Sequence, residues 1–177
     1  MQSGNNLPKI EYKKILYVTD LSESGRHAFP HAANIAQRCQ SELTVFHVVE
    51  TRDLETLLGY MSEEAWKELA SRNLEEARQI LLSRKRDDVV IQNSVQQFCE
   101  DSLPEGSGSP VLAYDVKVEM GEPLEKIIEE AHGGGYDLLV ISKHGHRASV
   151  KDAVMGDTAR RVVRRCRIPV LVVPLPE

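Results

Sequence analysis

A chain of 177 residues, 41% hydrophobic and 28% charged, suits one soluble globular domain with enough interior for a core. The formal charge of −5 argues against a general nucleic-acid binder, and no run approaches the roughly 18 apolar residues that span a bilayer. The opening MQSGNNLPKIEYKK lacks the apolar run of a signal peptide, so the cytoplasm is the expected location. Cys39, Cys99 and Cys166 are odd in number and far apart, with no CxxC pair, which speaks against a disulfide framework or a zinc site.

Lys13 to Thr19 (KKILYVT) is a short apolar run rich in β-formers and ends at Asp20, as a buried strand does. Ser22 or Ser24 can cap the helix that follows, whose Ala28, Ala32, Ile35, Ala36 and Cys39 recur at helical spacing. Pro30 has no N–H to donate, so a kink or a late first turn is expected there. Leu43 to Val49 (LTVFHVV) reads as a second buried strand. Thr51 to Met61 is a connection, and Ser62 opens a long helix with Trp66, Leu69, Ala70, Ala77, Ile80 and Leu81 on one face.

Between Asp87 and Pro110 the signal is weakest. Ile91 to Cys99 suits a short extra helix, and EDSLPEGSGSP is a loop by composition. Val111 to Glu119 alternates like a strand. Glu122-Pro123 then opens a helix through Ala131, with proline in the first turn and acids nearby, and three glycines end it. Tyr136 to Ser142 and Ile168 to Val173 are near-continuous apolar strands, joined through a basic helix. Strands alternating with helices imply βαβ crossovers and an open parallel sheet covered on both faces. Ligands bind such sheets beyond the carboxyl ends of the strands. The loops after Thr19, Val49 and Ser142 leave those ends, and they converge if the first and fourth strands are neighbours.

The stretch from Lys143 to Arg167 holds eight Lys/Arg and two Asp, a local charge of +6 that leaves −11 on the rest of the chain. Such a field suits a small anionic ligand or an acidic protein surface. Gly145 and Gly156 serve equally as parts of a phosphate loop or as helix-boundary glycines. His144 and His146 stand one residue apart with no third ligand, a weak basis for a metal site. His47, inside an apolar strand, reads as a hydrogen-bonded core histidine. No nucleophile–base pair, metal cluster or paired carboxylates appear, so no catalytic residue is expected.

Three blocks together resemble the universal stress protein family. They are KKILYVTDLSESGRHAFPHAA, LTVFHVVE and YDLLVISKHGH with MGDTARRVVRRCRIPVLVVP. The resemblance covers residues 13–175 as one domain, preceded by an extension over 1–12 and carrying an apparent insertion at about 87–110. It implies a five-stranded α/β sheet of order 3-2-1-4-5, of the adenine-nucleotide alpha-hydrolase-like kind. It also implies a homodimer through the last strand, Ile168–Val173. Nucleotide-binding members of the family carry a motif resembling G-x2-G-x9-G-(S/T) after the fourth strand. By position, Ser142 stands for the first glycine, Gly145 for the second, Gly156 for the third and Asp157 for the Ser/Thr, with ten residues rather than nine before Gly156. Thr19 and Asp20 match the family's threonine-aspartate, and Val48 the residue that meets adenine.

The resemblance therefore implies a stress-response module that binds ATP or AMP between the first and fourth strand ends, with Mg2+ carried by the phosphates. Its site would comprise Thr19, Asp20, Val48, Ser142, His144, Gly145, Gly156, Asp157 and Thr158. Asp157 opposes this reading. A carboxylate about 4–5 Å from a phosphate oxygen costs roughly 3–4 kcal/mol at an effective dielectric near 20. Aspartate is also a strong N-cap, so its side chain can occupy the amides that would cradle phosphate. The alternative is thus a dimeric adaptor that binds no nucleotide, its loop closed by Asp157 and its basic helix docking an acidic partner. A transferase or ligase is the weakest reading, since DLSESG stands where such enzymes carry SGGxDS.

Overall fold

The computed structural model describes residues 9–50, 88–103, 113–145 and 155–176. The connection over 51–61, the helix expected from Ser62, and His146 lie outside the described residues. In chain order the elements are β1 (Lys14–Thr19), α1 (Glu23–Cys39), β2 (Glu42–Val49), α2 (Asp88–Asp101) and β3 (Tyr114–Met120). They continue with α3 (Pro123–Gly133), β4 (Leu138–Ser142), α4 (Asp157–Arg165) and β5 (Val170–Val173). The sheet order is β3-β2-β1-β4-β5 and every pairing is parallel, with Thr19 opposite His47 and Val18 opposite Ile141. The fold is the expected one, and β1 and β4 are neighbours as convergence of the loops requires.

Side chains alternate across a strand, so a sheet covered twice must be apolar at every position. β1 meets this: Ile15 and Tyr17 enter one core, Leu16 and Val18 the other, all at most 5% exposed. On the first face α1 brings Ala28, Phe29 and Ala32, and α2 brings Ile91, Val95 and Phe98. On the second, α3 brings Leu124 and Ile127, and α4 brings Ala159 and Val162. The stretch over 87–110, weakest in sequence signal, thus supplies one helix of the first core. Cys99 lies in that core, where burial pushes its thiol up, while Cys39 is exposed and all three cysteines are free.

α1 begins at Glu23, seven residues before Pro30, with the Ser22 side chain accepting from the Gly25 amide at 3.2 Å. The expected late first turn does not occur, because a full cap and a buried apolar face outweigh one missing backbone donor. α3 starts as expected at proline, its Glu122 carboxylate accepting from the Glu125 amide at 2.9 Å.

Candidate functional site

Three short segments meet at the carboxyl ends of β1 and β4. The first leaves β1. Thr19 is 3% exposed and its hydroxyl accepts from the Leu21 amide at 3.0 Å. Asp20 Oδ1 accepts from the Ser22 amide at 3.1 Å. Side chains that bond two residues ahead fix a turn, and this one hands the chain directly to the α1 cap. His47 Nδ1 lies 2.8 Å from the Thr19 carbonyl, and because a carbonyl only accepts, Nδ1 carries the proton. His47 is therefore a buried structural histidine, as its strand context suggested.

The second segment leaves β4. The Ser142 hydroxyl donates to the His144 carbonyl at 2.8 Å, closing a tight turn. His144 is 7% exposed, and among the described residues its Nδ1 has no hydrogen-bond partner. Gly145 follows. A Cβ there would stand 2.5 Å from Asp20 Oδ2, so the loops approach as closely as only glycine permits.

The third segment opens α4. The Gly156 amide donates to the Lys143 carbonyl at 2.9 Å, and a Cβ on Gly156 would lie 3.3 Å from that oxygen and 3.7 Å from the Gly145 nitrogen. Gly156 is the N-cap of α4, and no side chain among the described residues caps the first turn. This corrects the expectation that Asp157 closes its own helix. Asp157 is the first helical residue, not the cap. Its side chain is 62% exposed and turns along the helix to Arg160 at 2.7 Å and Arg161 at 3.7 Å. One helical turn separates these partners, so the pairing is local and leaves the backbone amides alone.

Asp20, Ser142, His144, Gly145 and Gly156 are thus brought together, with Thr19 holding the β1 turn. Val48, 6% exposed, lies one residue beyond the pair Thr19–His47 and shares its core with Val18, Ile141 and Ala159. Asp157 and Thr158 are exposed at the start of α4. Gly25 was missed by the sequence reading. A Cβ on it would stand 2.7 Å from the Thr19 hydroxyl, and its carbonyl accepts from the Tyr17 hydroxyl at 2.6 Å. Its signal was a glycine inside a helix, where the residue is otherwise unfavourable.

The basic helix is partly neutralised from within. Arg165 makes a two-pronged contact with Glu125, which holds that carboxyl below its usual range. The Arg167 amide donates to His132 Nε2 at 3.1 Å. Among the described residues no group of three metal-ligating side chains occurs, and no helix is long and apolar enough to cross a membrane.

The architecture and these blocks agree with known proteins. Universal stress protein MJ0531 of Methanocaldococcus jannaschii is 30% identical over 100% of this chain and 88% of its own length. The structure of MJ0577 from the same organism is 26% identical with TM-score 0.58, covering 95% of this chain and 99% of that one. Two more distant structures share the fold and contain ligands: a universal stress protein in complex with cAMP (17% identical, TM-score 0.56, 93% and 98% covered) and an Arabidopsis thaliana family member with AMP bound (13%, 0.52, 93% and 92%). The sequence itself matches the universal stress protein family over residues 11–174, and the chain belongs to that family.

Proposed function

We propose that this protein binds an adenine nucleotide, ATP or AMP, at the carboxyl ends of β1 and β4, as a stress-response module rather than a catalyst. The observation that carries the reading is the double glycine contact. Gly145 packs on Asp20 and Gly156 on the Lys143–Gly145 backbone, beside a helix start that no side chain of the described residues caps. Uncapped helix amides favour a phosphate both by hydrogen bonding and by the helix dipole. In this arrangement Asp20 meets ribose or a phosphate-borne Mg2+, and Val48 lines the base. Ser142, His144, Gly145 and Gly156 surround the phosphates, Thr19 keeps the turn, and Thr158 supplies the hydroxyl that Asp157 lacks. Related folds that hold cAMP and AMP support the ligand class.

Calorimetric titration with ATP and with AMP tests the proposal. Saturable heat is expected below millimolar ligand, and a flat titration to millimolar overturns it. The adaptor reading is less favoured, since the Asp157 carboxylate is engaged with Arg160 and Arg161.

We also infer a homodimer through the C-terminal strand. β5 is an edge strand whose Val170, Leu171 and Val172 are only half-buried, and an apolar edge is a liability unless it is covered. Sedimentation equilibrium at the monomer mass would refute this.

A further inference from the structure

α1 carries a second cluster of chemistry-bearing side chains away from the sheet ends. His27 and His31 stand one helical turn apart, on the same side of the helix. The buried face of α1 is made by Ser24, Gly25, Ala28, Phe29, Ala32, Ala33 and Ala36, so both histidines lie outside it. His27 is half-buried and His31 exposed. Their rings meet edge to face with centroids 5.4 Å apart and planes inclined at 65°.

That separation is informative. An imidazole nitrogen binds a divalent transition metal at about 2.0–2.1 Å, and the ring centre lies about 1.2 Å behind it. Two imidazoles sharing one tetrahedral ion therefore place their centroids about 5.2 Å apart, against about 6.4 Å for a linear arrangement and about 4.5 Å for a right angle. The observed 5.4 Å falls beside the tetrahedral value. A rotation of either ring about its terminal torsion, which is soft, aims a nitrogen at the shared point without moving the helix. Pro30 lies between the two histidines in sequence, inside a helix held at its start by the Ser22 cap.

We propose that His27 and His31 form a two-ligand clip for a borderline divalent transition metal that accepts tetrahedral coordination, Zn2+ foremost. Imidazole suits such ions, whereas Mg2+ and Ca2+ prefer oxygen ligands. Water completes the coordination, since no group of three ligating side chains occurs among the described residues. The clip is independent of the nucleotide proposal: it stands on the outer side of α1 and uses none of the residues assigned there.

Zn2+ is the suitable probe, because it takes tetrahedral coordination and has no redox chemistry. Calorimetry on the untagged full chain is expected to show one Zn2+ bound per chain in the micromolar range. His31→Asn and His27→Asn should each weaken it at least tenfold. Both positions lie outside the core, so both variants should keep the parent's thermal midpoint without metal. Mg2+ at the same concentration should leave the parent's midpoint unmoved. Zinc binding that survives either substitution, or no zinc binding by a folded parent protein, overturns the proposal.

Discussion

The turn after β1 and the segment from β4 to α4 face each other across the Asp20–Gly145 contact, yet they satisfy their polar groups differently. In the first, Thr19, Asp20 and Ser22 each accept from a backbone amide two or three residues ahead, and His47 ties the Thr19 carbonyl from the next strand. In the second, no side chain of the described residues caps the α4 start. The amides of the β1 turn are met by its own side chains, whereas no side chain of the described residues meets those at the start of α4. A fixed turn facing open helix amides is an arrangement that suits a ligand.

The most disruptive test is Gly145→Val, which forces a branched side chain into the space held by Asp20 Oδ2. Overpacking of this kind costs about 1–3 kcal/mol, and displacing Asp20 should weaken nucleotide binding at least tenfold. Thermal unfolding and ATP titration read the two effects. Near-parent values for both would mean that the contact between the loops is incidental.

Thr19→Val should come next. It keeps the side chain's shape but leaves the buried Leu21 amide without its acceptor, a loss of about 1–3 kcal/mol. Because Thr19 supports the turn, chemical denaturation should register the change more strongly than ligand affinity does. An affinity loss with unchanged stability would place Thr19 on the ligand instead.

Asp157→Ser should change stability least, within about 0.5 kcal/mol, since it removes only exposed pairs with Arg160 and Arg161. Its ATP affinity should rise severalfold once the carboxylate's repulsion is gone. Weaker binding in this variant would mean that Asp157 acts through a bound cation.

Much of the fold was readable in the chain. Runs such as Ile15–Val18 and Leu138–Ile141 are apolar at consecutive positions and rich in β-formers, as a doubly covered strand requires, and Glu122-Pro123 announced α3. α2 was the hardest element to see. Ile91, Val95, Phe98 and Cys99 have helical spacing, but polar residues and a loop-like tail dilute the pattern, and their burial depends on strands distant in sequence. Residue types located the candidate site but did not give its state. Aspartate after a glycine reads as a cap, and only the backbone reveals that Gly156 holds that position while Asp157 turns to the arginines. Gly145 and Gly25 share the same limit, since their need to be glycine comes from atoms of another segment.

Leu21 carries a consequence for how binding would be driven. Its φ of 61° lies in the left-handed region, unusual for a leucine, while its side chain is 2% exposed in the first core. Such a conformation costs on the order of 1–3 kcal/mol and persists only where the surroundings enforce it. Here the buried leucine side chain acts as the anchor that enforces it. The neighbouring Asp20 is thereby preorganised, and a ligand arriving there has no β1 turn to order. Less of its intrinsic interaction energy is spent on conformational entropy. Replacing that leucine with glycine would relax the backbone and yet loosen the grip, so a gain in comfort at one residue would appear as a slower, weaker capture at the next.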